Sequence, residues 1–179
     1  MSAALTTLYS VSDLTRRVDE LGAEISRAYD DSGFIAVVVM NGGLFFAADL
    51  LRRVTVPVQV DSIAAGSYLH HASTGKLNVR GVLKLDLTGR HVLLIDDILD
   101  TGLTLAELRA RFLEAGAISC RTCVLIDKEI PEERKKLHAD WYGFKSPPEY
   151  LVGFGMDSDE RFRNLPHICI YREDGEPSS

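Results

Sequence analysis

The sequence predicts an α/β domain built on a mostly parallel sheet flanked by helices. Three observations carry that expectation. The apolar runs FIAVVVM (34–40), VLLI (92–95) and RTCVLI (121–126) lack the alternation of a half-solvated strand and suit strands buried on both faces. Segments with helical apolar spacing lie between them, and glycine turns or polar stretches separate the two kinds. Strands and helices alternating in this order build parallel sheets with helices on both faces.

Each element can be justified in turn. Val11, Leu14, Val18, Leu21, Ile25 and Ala28 recur at intervals of three and four, which predicts an amphipathic helix over 12–29, capped by Ser12. FIAVVVM stops at Asn41-Gly42-Gly43, and LFFAADLLRR then reads as a helix. VTVPVQVDSIA (54–64) is a strand in which Pro57 must sit at the start or on an edge, because it lacks an N–H for the ladder. Residues 65–78, AGSYLHHASTGKLN, have no period and many small polar side chains, so a mobile loop is expected. After VLLI, a helix over 104–115 presents Leu105, Leu108 and Phe112 on one face and ends at Gly116. RTCVLI leads to Asp127-Lys128 and a polar segment through about residue 139. Short strands at 139–144, 150–154 and 167–171 follow, with a frayed tail over about 172–179. No repeat or linker divides the chain, so residues 1–179 are expected to form a single domain.

Composition narrows the function. A hydrophobic share of 46% with 26% charged residues is ordinary for a folded globular chain. The formal net charge of -6 argues against nucleic acid or an anionic membrane as partner, since both are bound by neutralising phosphates with Lys and Arg. A polyanionic ligand would therefore need a metal ion to supply positive charge. MSAALTTLYS lacks the pattern of a secretory leader, and no apolar run approaches the roughly 18 residues that a membrane helix needs, so a cytoplasmic location is expected. Three cysteines cannot all pair within one chain and suit a reducing compartment. Cys120 and Cys123 form a C-x-x-C that leads into an apolar run rather than opening a helix, and no second pair at zinc spacing accompanies it. They are read as small residues at a strand start.

The stretch VLLIDDILDTGLTL (92–105) carries the chemistry. Asp96, Asp97 and Asp100 crowd the end of a buried strand, where mutual repulsion needs an offsetting reward. Gly102 permits a sharp turn, Thr101 and Thr104 offer hydroxyls, and the following helix directs unpaired N–H groups at whatever binds there, which together suit a phosphate. Thr104 and Glu107 also match a T-x-x-E capping box, in which case the helix end satisfies itself. That second reading explains the cap but not the acids, which suit sugar hydroxyls or a magnesium ion.

This stretch resembles the phosphoribosyl pyrophosphate (PRPP) signature of the type I phosphoribosyltransferases. VVVMNGGLFFAADLLRR, GSYLHHASTG, LIDKEI and EYLVGFGMDSDERFRNLPHICIY resemble, in order and spacing, the bacterial-type hypoxanthine-guanine phosphoribosyltransferase family over nearly all of residues 34–171. The resemblance implies the type I fold with a small hood formed by terminal segments. It implies purine salvage: transfer of 5-phosphoribosyl from PRPP to N9 of hypoxanthine or guanine, giving IMP or GMP and pyrophosphate. Mg²⁺ is the implied cofactor, and a homodimer or homotetramer the implied assembly.

Roles follow where residues match. Asp100 is the implied general base, Lys128 the donor to the purine 6-oxo group, and Arg163 the contact to pyrophosphate. Asp96 and Asp97 would receive the ribose hydroxyls or the metal. Thr101, Gly102, Leu103 and Thr104 would hold the 5′-phosphate, and Asn41-Gly42 would form the pyrophosphate loop. Tyr150 would stack on the base, backbone around Leu151 and Val152 would read its edge, and Asp157 would help hold Mg²⁺. Ser67 and Tyr68 match a lid, and the adjacent His70 and His71 read as loop residues. Two positions depart from the family pattern: Asp96-Asp97 where Glu-Asp is common, and Asn41-Gly42 where Lys-Gly is common, which removes a cation from a polyanion site. The alternatives are a regulatory PRPP- or nucleotide-binding protein on the same fold, or a transferase preferring xanthine or another base. No G-x-G-x-x-G or G-x-x-x-x-G-K-[ST] is present to favour a dinucleotide or P-loop domain.

Overall fold

The computed structural model describes residues 3–66, 78–80 and 82–173. In chain order the elements are strand β1 (Ala3–Tyr9), helix α1 (Val11–Ala28), β2 (Phe34–Met40), α2 (Gly43–Leu51), β3 (Val58–Gly66), β4 (Asn78–Arg80), β5 (His91–Leu99), α3 (Leu103–Glu114), β6 (Ser119–Lys128), β7 (Trp141–Ser146), β8 (Leu151–Val152) and β9 (Ile168–Glu173), with one 3-10 turn at Glu132–Arg134. Six strands form the main sheet in the order β4-β3-β2-β5-β6-β7. Its β3, β2, β5, β6 and β7 are parallel, and β4 is an antiparallel edge. A second, antiparallel sheet of order β1-β9-β8 makes the hood from the two ends of the chain.

The apolar runs become central strands because both faces are covered. On β2, Phe34, Ala36 and Val38 pack with Leu93 and Ile95 of β5 beneath Leu14, Val18, Leu21 and Ile25 of α1 and Phe46 and Leu50 of α2. Ile35, Val37 and Val39 face the other way, with Val92 and Leu94, onto Leu105, Leu108 and Phe112 of α3. Because strand side chains alternate, a slip of one residue would exchange these two sets, so the register is strongly specified. Cutting one of the buried leucines to alanine would cost about 2–5 kcal/mol. The same alternation separates Cys120 from Cys123: they lie three apart on β6, in the two different clusters, and the sheet stands between them. No disulfide joins them, and both are free thiols.

Several boundaries differ from expectation. The cap of α1 is Ser10, not Ser12: the Ser10 hydroxyl accepts from the Asp13 amide, and the Asp13 carboxylate accepts from the Ser10 amide at 3.2 Å, a reciprocal box that Ser12 has no partner to make. Strand β5 does not stop before the acids but runs through Asp96 and Asp97 to Leu99, because β6 continues alongside and keeps the ladder paired. Thr104 is not a cap, since α3 begins at Leu103 after Gly102, whose φ of 79° turns the chain into the helix; Glu107 pairs instead with Arg111. Pro57 sits immediately before β3, as its missing donor requires. The helix end at Gly116 holds, with Gly116 N–H donating to Leu113 and Ala117 N–H to Phe112. Strand β1 was not read from the sequence, and β9 reaches Glu173, two residues into the expected tail. The loop expected at 65–78 is narrower, since β3 extends through Gly66 and β4 begins at Asn78. Residues 67–77, with Ser67, Tyr68, His70 and His71, lie outside the described residues, as do 174–179. Among the described residues no helix is long and apolar enough to cross a membrane.

Candidate active site

Parallel pairing aligns the carboxyl ends of β2, β5 and β6, where ligands bind in sheets of this kind. That rim gathers Asn41-Gly42 after β2, Asp96, Asp97 and Asp100 at the end of β5, and Lys128 as the last residue of β6. Asp97 is buried and Asp96 half-buried. The Asp97 amide donates to the Asp96 carboxylate and the Ile98 amide to the Asp97 carboxylate, each at 2.9 Å. Burial, and then the neighbouring Asp97 charge, hold Asp96 well above the usual carboxylate range. Burial also raises Asp97, against the pull of its hydrogen bonds and of the Arg163 charge. The pair therefore retains a proton more readily than two separate acids would, and a bound cation or a diol that donates hydrogen bonds would relieve it.

A second loop is pressed against this pair. The Met40–Asn41 peptide is cis. Gly42 lies so close to Asp97 that a β-carbon there would collide with the carboxylate, and a β-carbon on Gly155 would collide with the Gly42 carbonyl. Glycine is required at both positions by close approach. The turn after β2, the acids of β5 and the 153–163 loop of the hood are thus in direct contact. Arg163 completes the cluster, donating to the Gly155 carbonyl at 2.7 Å.

The phosphate cradle is built mostly from backbone. No side chain caps the amino end of α3, and none caps α2, which starts beside Gly42. Their first-turn amides form the kind of positive end that binds anions. Thr101 steadies its own turn, its hydroxyl accepting from the Leu103 amide at 3.4 Å and its carbonyl accepting from the Lys136 amide at 2.7 Å. Gly102 packs on Leu137. This backing segment is anchored by a buried ion pair between Lys135 and Asp127 at 2.5 Å, which also fixes the residue preceding Lys128. Asp100 is exposed between the strand end and the cradle.

The hood supplies the remaining candidates. Tyr150 is 53% exposed, so it has a face free for a flat ligand, while its hydroxyl donates to the Asp157 carbonyl at 3.0 Å. Leu151 and Val152 are buried in β8. Arg163 pairs with Asp157 at 2.8 Å and with Glu160, which takes both its Nε and Nη2 hydrogens at 3.1 and 2.9 Å. Phe154, Asp159, Glu160 and Phe162 all have positive φ, at 50°, 51°, 59° and 75°. A run of non-glycine residues in that region costs free energy and is held by its neighbours. Here the hold comes from paired backbone bonds of Phe154 to Leu165 and Gly155 to Arg163.

The structure does not bring Asp157 together with Asp96 and Asp97 in one cage, because Arg163 engages Asp157 in the hood; among the described residues no three potential ligands converge on a metal. The donor set nevertheless suits Mg²⁺, which keeps several waters and takes one or two carboxylates together with ligand phosphates. Asp96 and Asp97 offer hard oxygens whose crowding such an ion would offset. Sequence reasoning missed Gly155, Glu160, Lys135, Asp127 and Leu137. Only Glu160 left a local signal, three residues before Arg163; the others act through contacts between distant segments.

The rim can thus seat phosphates at two helix ends, accept hydrogen bonds from a diol, and present one solvent-facing carboxylate to a proton. Comparison with known proteins agrees with that chemistry. The family model for the phosphoribosyl transferase domain matches residues 5–159. The chain is 36% identical over 166 residues to a hypoxanthine-guanine-xanthine phosphoribosyltransferase of Tritrichomonas foetus, covering 93% of this chain and 91% of the relative. It is 36% identical over 167 residues to a hypoxanthine-guanine phosphoribosyltransferase of Bacillus subtilis, covering 92% of each. A crystal structure of a hypoxanthine-guanine phosphoribosyltransferase from Bacillus anthracis superposes with a TM-score of 0.86 at 34% identity, covering 96% of this chain and all of that one.

Proposed function

The chain belongs to the phosphoribosyltransferase family, in its hypoxanthine-guanine group, and from that membership we propose that it transfers 5-phosphoribosyl from PRPP to N9 of hypoxanthine or guanine, as a step of purine salvage. One observation supports placing the reaction at the rim: the contact of Gly42 with both Asp97 and Gly155, which joins the β2 turn, the β5 acids and the hood loop.

In this reading the bond from C1′ to the pyrophosphate oxygen breaks, the N9–C1′ bond forms, and the purine loses a ring proton. The amides after Gly102, with the hydroxyls of Thr101 and Thr104, hold the 5′-phosphate and so fix the ribose. Asp96 and Asp97 accept hydrogen bonds from the ribose hydroxyls, which orients the sugar and relieves their mutual repulsion. Tyr150 stacks on the base, and Lys128 donates to its 6-oxo group, which favours oxopurines over adenine. Asp100 takes the ring proton as the new bond forms. Arg163 and the Asn41-Gly42 amides receive the departing pyrophosphate; main-chain donors there do the work that a lysine would otherwise share. Mg²⁺, held by Asp96 or Asp97 together with the phosphates of PRPP, would supply the positive charge that an acidic chain lacks against pyrophosphate. The protein acts on small molecules as a cytoplasmic homodimer or homotetramer, with neither nucleic acid nor membrane as partner.

The test is pyrophosphate release from PRPP and Mg²⁺ with hypoxanthine, guanine, xanthine and adenine in parallel. Turnover on hypoxanthine or guanine and none on adenine is expected. PRPP binding without turnover on any base would overturn the catalytic reading in favour of a regulatory one. Preferred turnover of xanthine would reassign the base.

A further inference from the structure

At the opposite end of the main sheet's strands, where β5 and β6 begin, a cleft of about 310 Å³ is walled by the end of α1 and by the first residues of those two strands. Arg27, Tyr29, Asp30, His91, Ser119 and Arg121 line it. Nothing in the transferase reading uses these residues.

Their bonding is unusual. Arg121 is half-buried, with its guanidinium carbon 5.5 Å from the centres of both the Tyr29 and Trp141 rings. Among the described residues it makes neither an ion pair nor a side-chain hydrogen bond; Asp140, which precedes Trp141, accepts through Oδ2 from the amide and hydroxyl of Thr122. Arg27 also makes no ion pair among the described residues. Tyr29 is 8% exposed, and its hydroxyl is the one buried side-chain oxygen or nitrogen without a partner among the described residues. Burial pushes the phenol up, so it stays a hydrogen-bond donor at neutral pH. His91 binds Ser119 through Nδ1 at 2.8 Å, which leaves Nε2 for another group. The one acid, Asp30, is turned back on its own chain, accepting from the amide and hydroxyl of Ser32.

A half-buried guanidinium and an orphaned buried hydroxyl each cost free energy unless something meets them. The space is larger than a single water needs and reaches the lower range of small-molecule sites. Apart from Asp30 its polar side chains can all donate, two arginines against one carboxylate leave a net positive charge, and each guanidinium offers a fork geometry that matches phosphate oxygens. We propose that this cleft is a second ligand site, which takes the phosphate group of a small phosphate monoester between Arg27 and Arg121, with His91 and Tyr29 completing the donor set. It is remote from the catalytic rim, at the other end of the same strands.

The test is an NMR titration of the full chain with methyl phosphate and, separately, inorganic phosphate, following the imidazole resonance that His91→Gln deletes. This readout is local, so ligand at the rim does not mimic it. A saturable shift with methyl phosphate is expected, weakened about tenfold by Arg121→Gln and by Arg27→Gln, with turnover of the oxopurine unchanged in the second variant. Arg27 is exposed, so its variant keeps the fold even if removal of Arg121 from between two rings disturbs it. A His91 shift that fails to saturate, or that is the same in wild type and Arg27→Gln, would overturn the site. Saturation by inorganic phosphate alone would overturn the monoester.

Discussion

The two sheets serve the rim in different ways. The main sheet delivers Asp96, Asp97 and Lys128 from strand ends, and the cradle from the start of a helix, all fixed by an apolar core on both faces. The hood delivers Asp157 and Arg163 from a loop of positive φ values, where the charged groups hold one another. Groups that must keep their place through a catalytic cycle sit on the first. In the proposed reaction, the groups that would take up and release pyrophosphate sit on the second, where Arg163 is paired with the carboxylates of Asp157 and Glu160. Locating stationary chemistry on rigid elements and exchange on loops is a general economy of enzyme sites.

That contrast can be tested at four points. The largest effect belongs to the main sheet: Asp100→Ala should lower kcat by about 10²–10⁴ while PRPP affinity changes little, since only proton removal is lost. Equal losses in a direct PRPP binding assay and in kcat would assign Asp100 to binding instead. Next, Gly42→Ala forces a methyl group into the Asp97 carboxylate and should destabilise the fold by about 1–3 kcal/mol in urea unfolding and weaken PRPP binding. A variant with unchanged unfolding midpoint would mean that the contact between turn and acid is slack.

A smaller effect of opposite sign is expected at Asp96. Both acids titrate higher in the fold than in the unfolded chain, so the folded state holds the extra proton in between, and stability falls as pH rises through the folded values. Asp96→Asn removes that loss. It should be more stable than wild type by about 1 kcal/mol near neutral pH, with the gain closing below about pH 4, while activity falls. Unfolding midpoints at both pH values check it, and a gain that persists in acid would point to packing rather than charge. The smallest effect lies in the hood. Glu160 is exposed, so Glu160→Gln should shift stability by less than about 0.5 kcal/mol, yet strengthen pyrophosphate binding a few-fold by freeing Arg163. Calorimetric titration with pyrophosphate that shows weaker binding would make Glu160 a support for Arg163 and not its competitor.

Legibility in the sequence follows the same division. The strands at 34–40, 92–95 and 121–126 and the helices between them were readable because burial on both faces writes a continuous apolar run. The local capping signals point two residues too far, to Ser12 and Thr104, because the reciprocal partner of Ser10 and the left-handed turn at Gly102 decide those ends. The path of β5 through Asp96 and Asp97 was not readable, since paired acids imitate a loop and only the neighbouring strand β6 shows otherwise. Strand β1 was hidden because AALTTLY gains order only by pairing with β9 at the far end of the chain. In the candidate site, the acids, the cradle and Lys128 were visible from motif and resemblance. The contacts among Gly42, Asp97 and Gly155, and the hold of Glu160 on Arg163, exist only once distant segments meet.

The three cysteines divide between the same two regions, with Cys120 and Cys123 on β6, Cys169 on β9, and all of them buried. Burial raises the Cys120 thiol to about 12 and lifts Cys123 as well, so neither forms appreciable thiolate while the strand is closed. An alkylating reagent therefore reads the rate at which each region opens rather than the chemistry of the sulfur. Mass-resolved labelling of Cys169 against the β6 pair would give the molecule two built-in clocks, one for the loosening of the hood and one for the breathing of the central sheet.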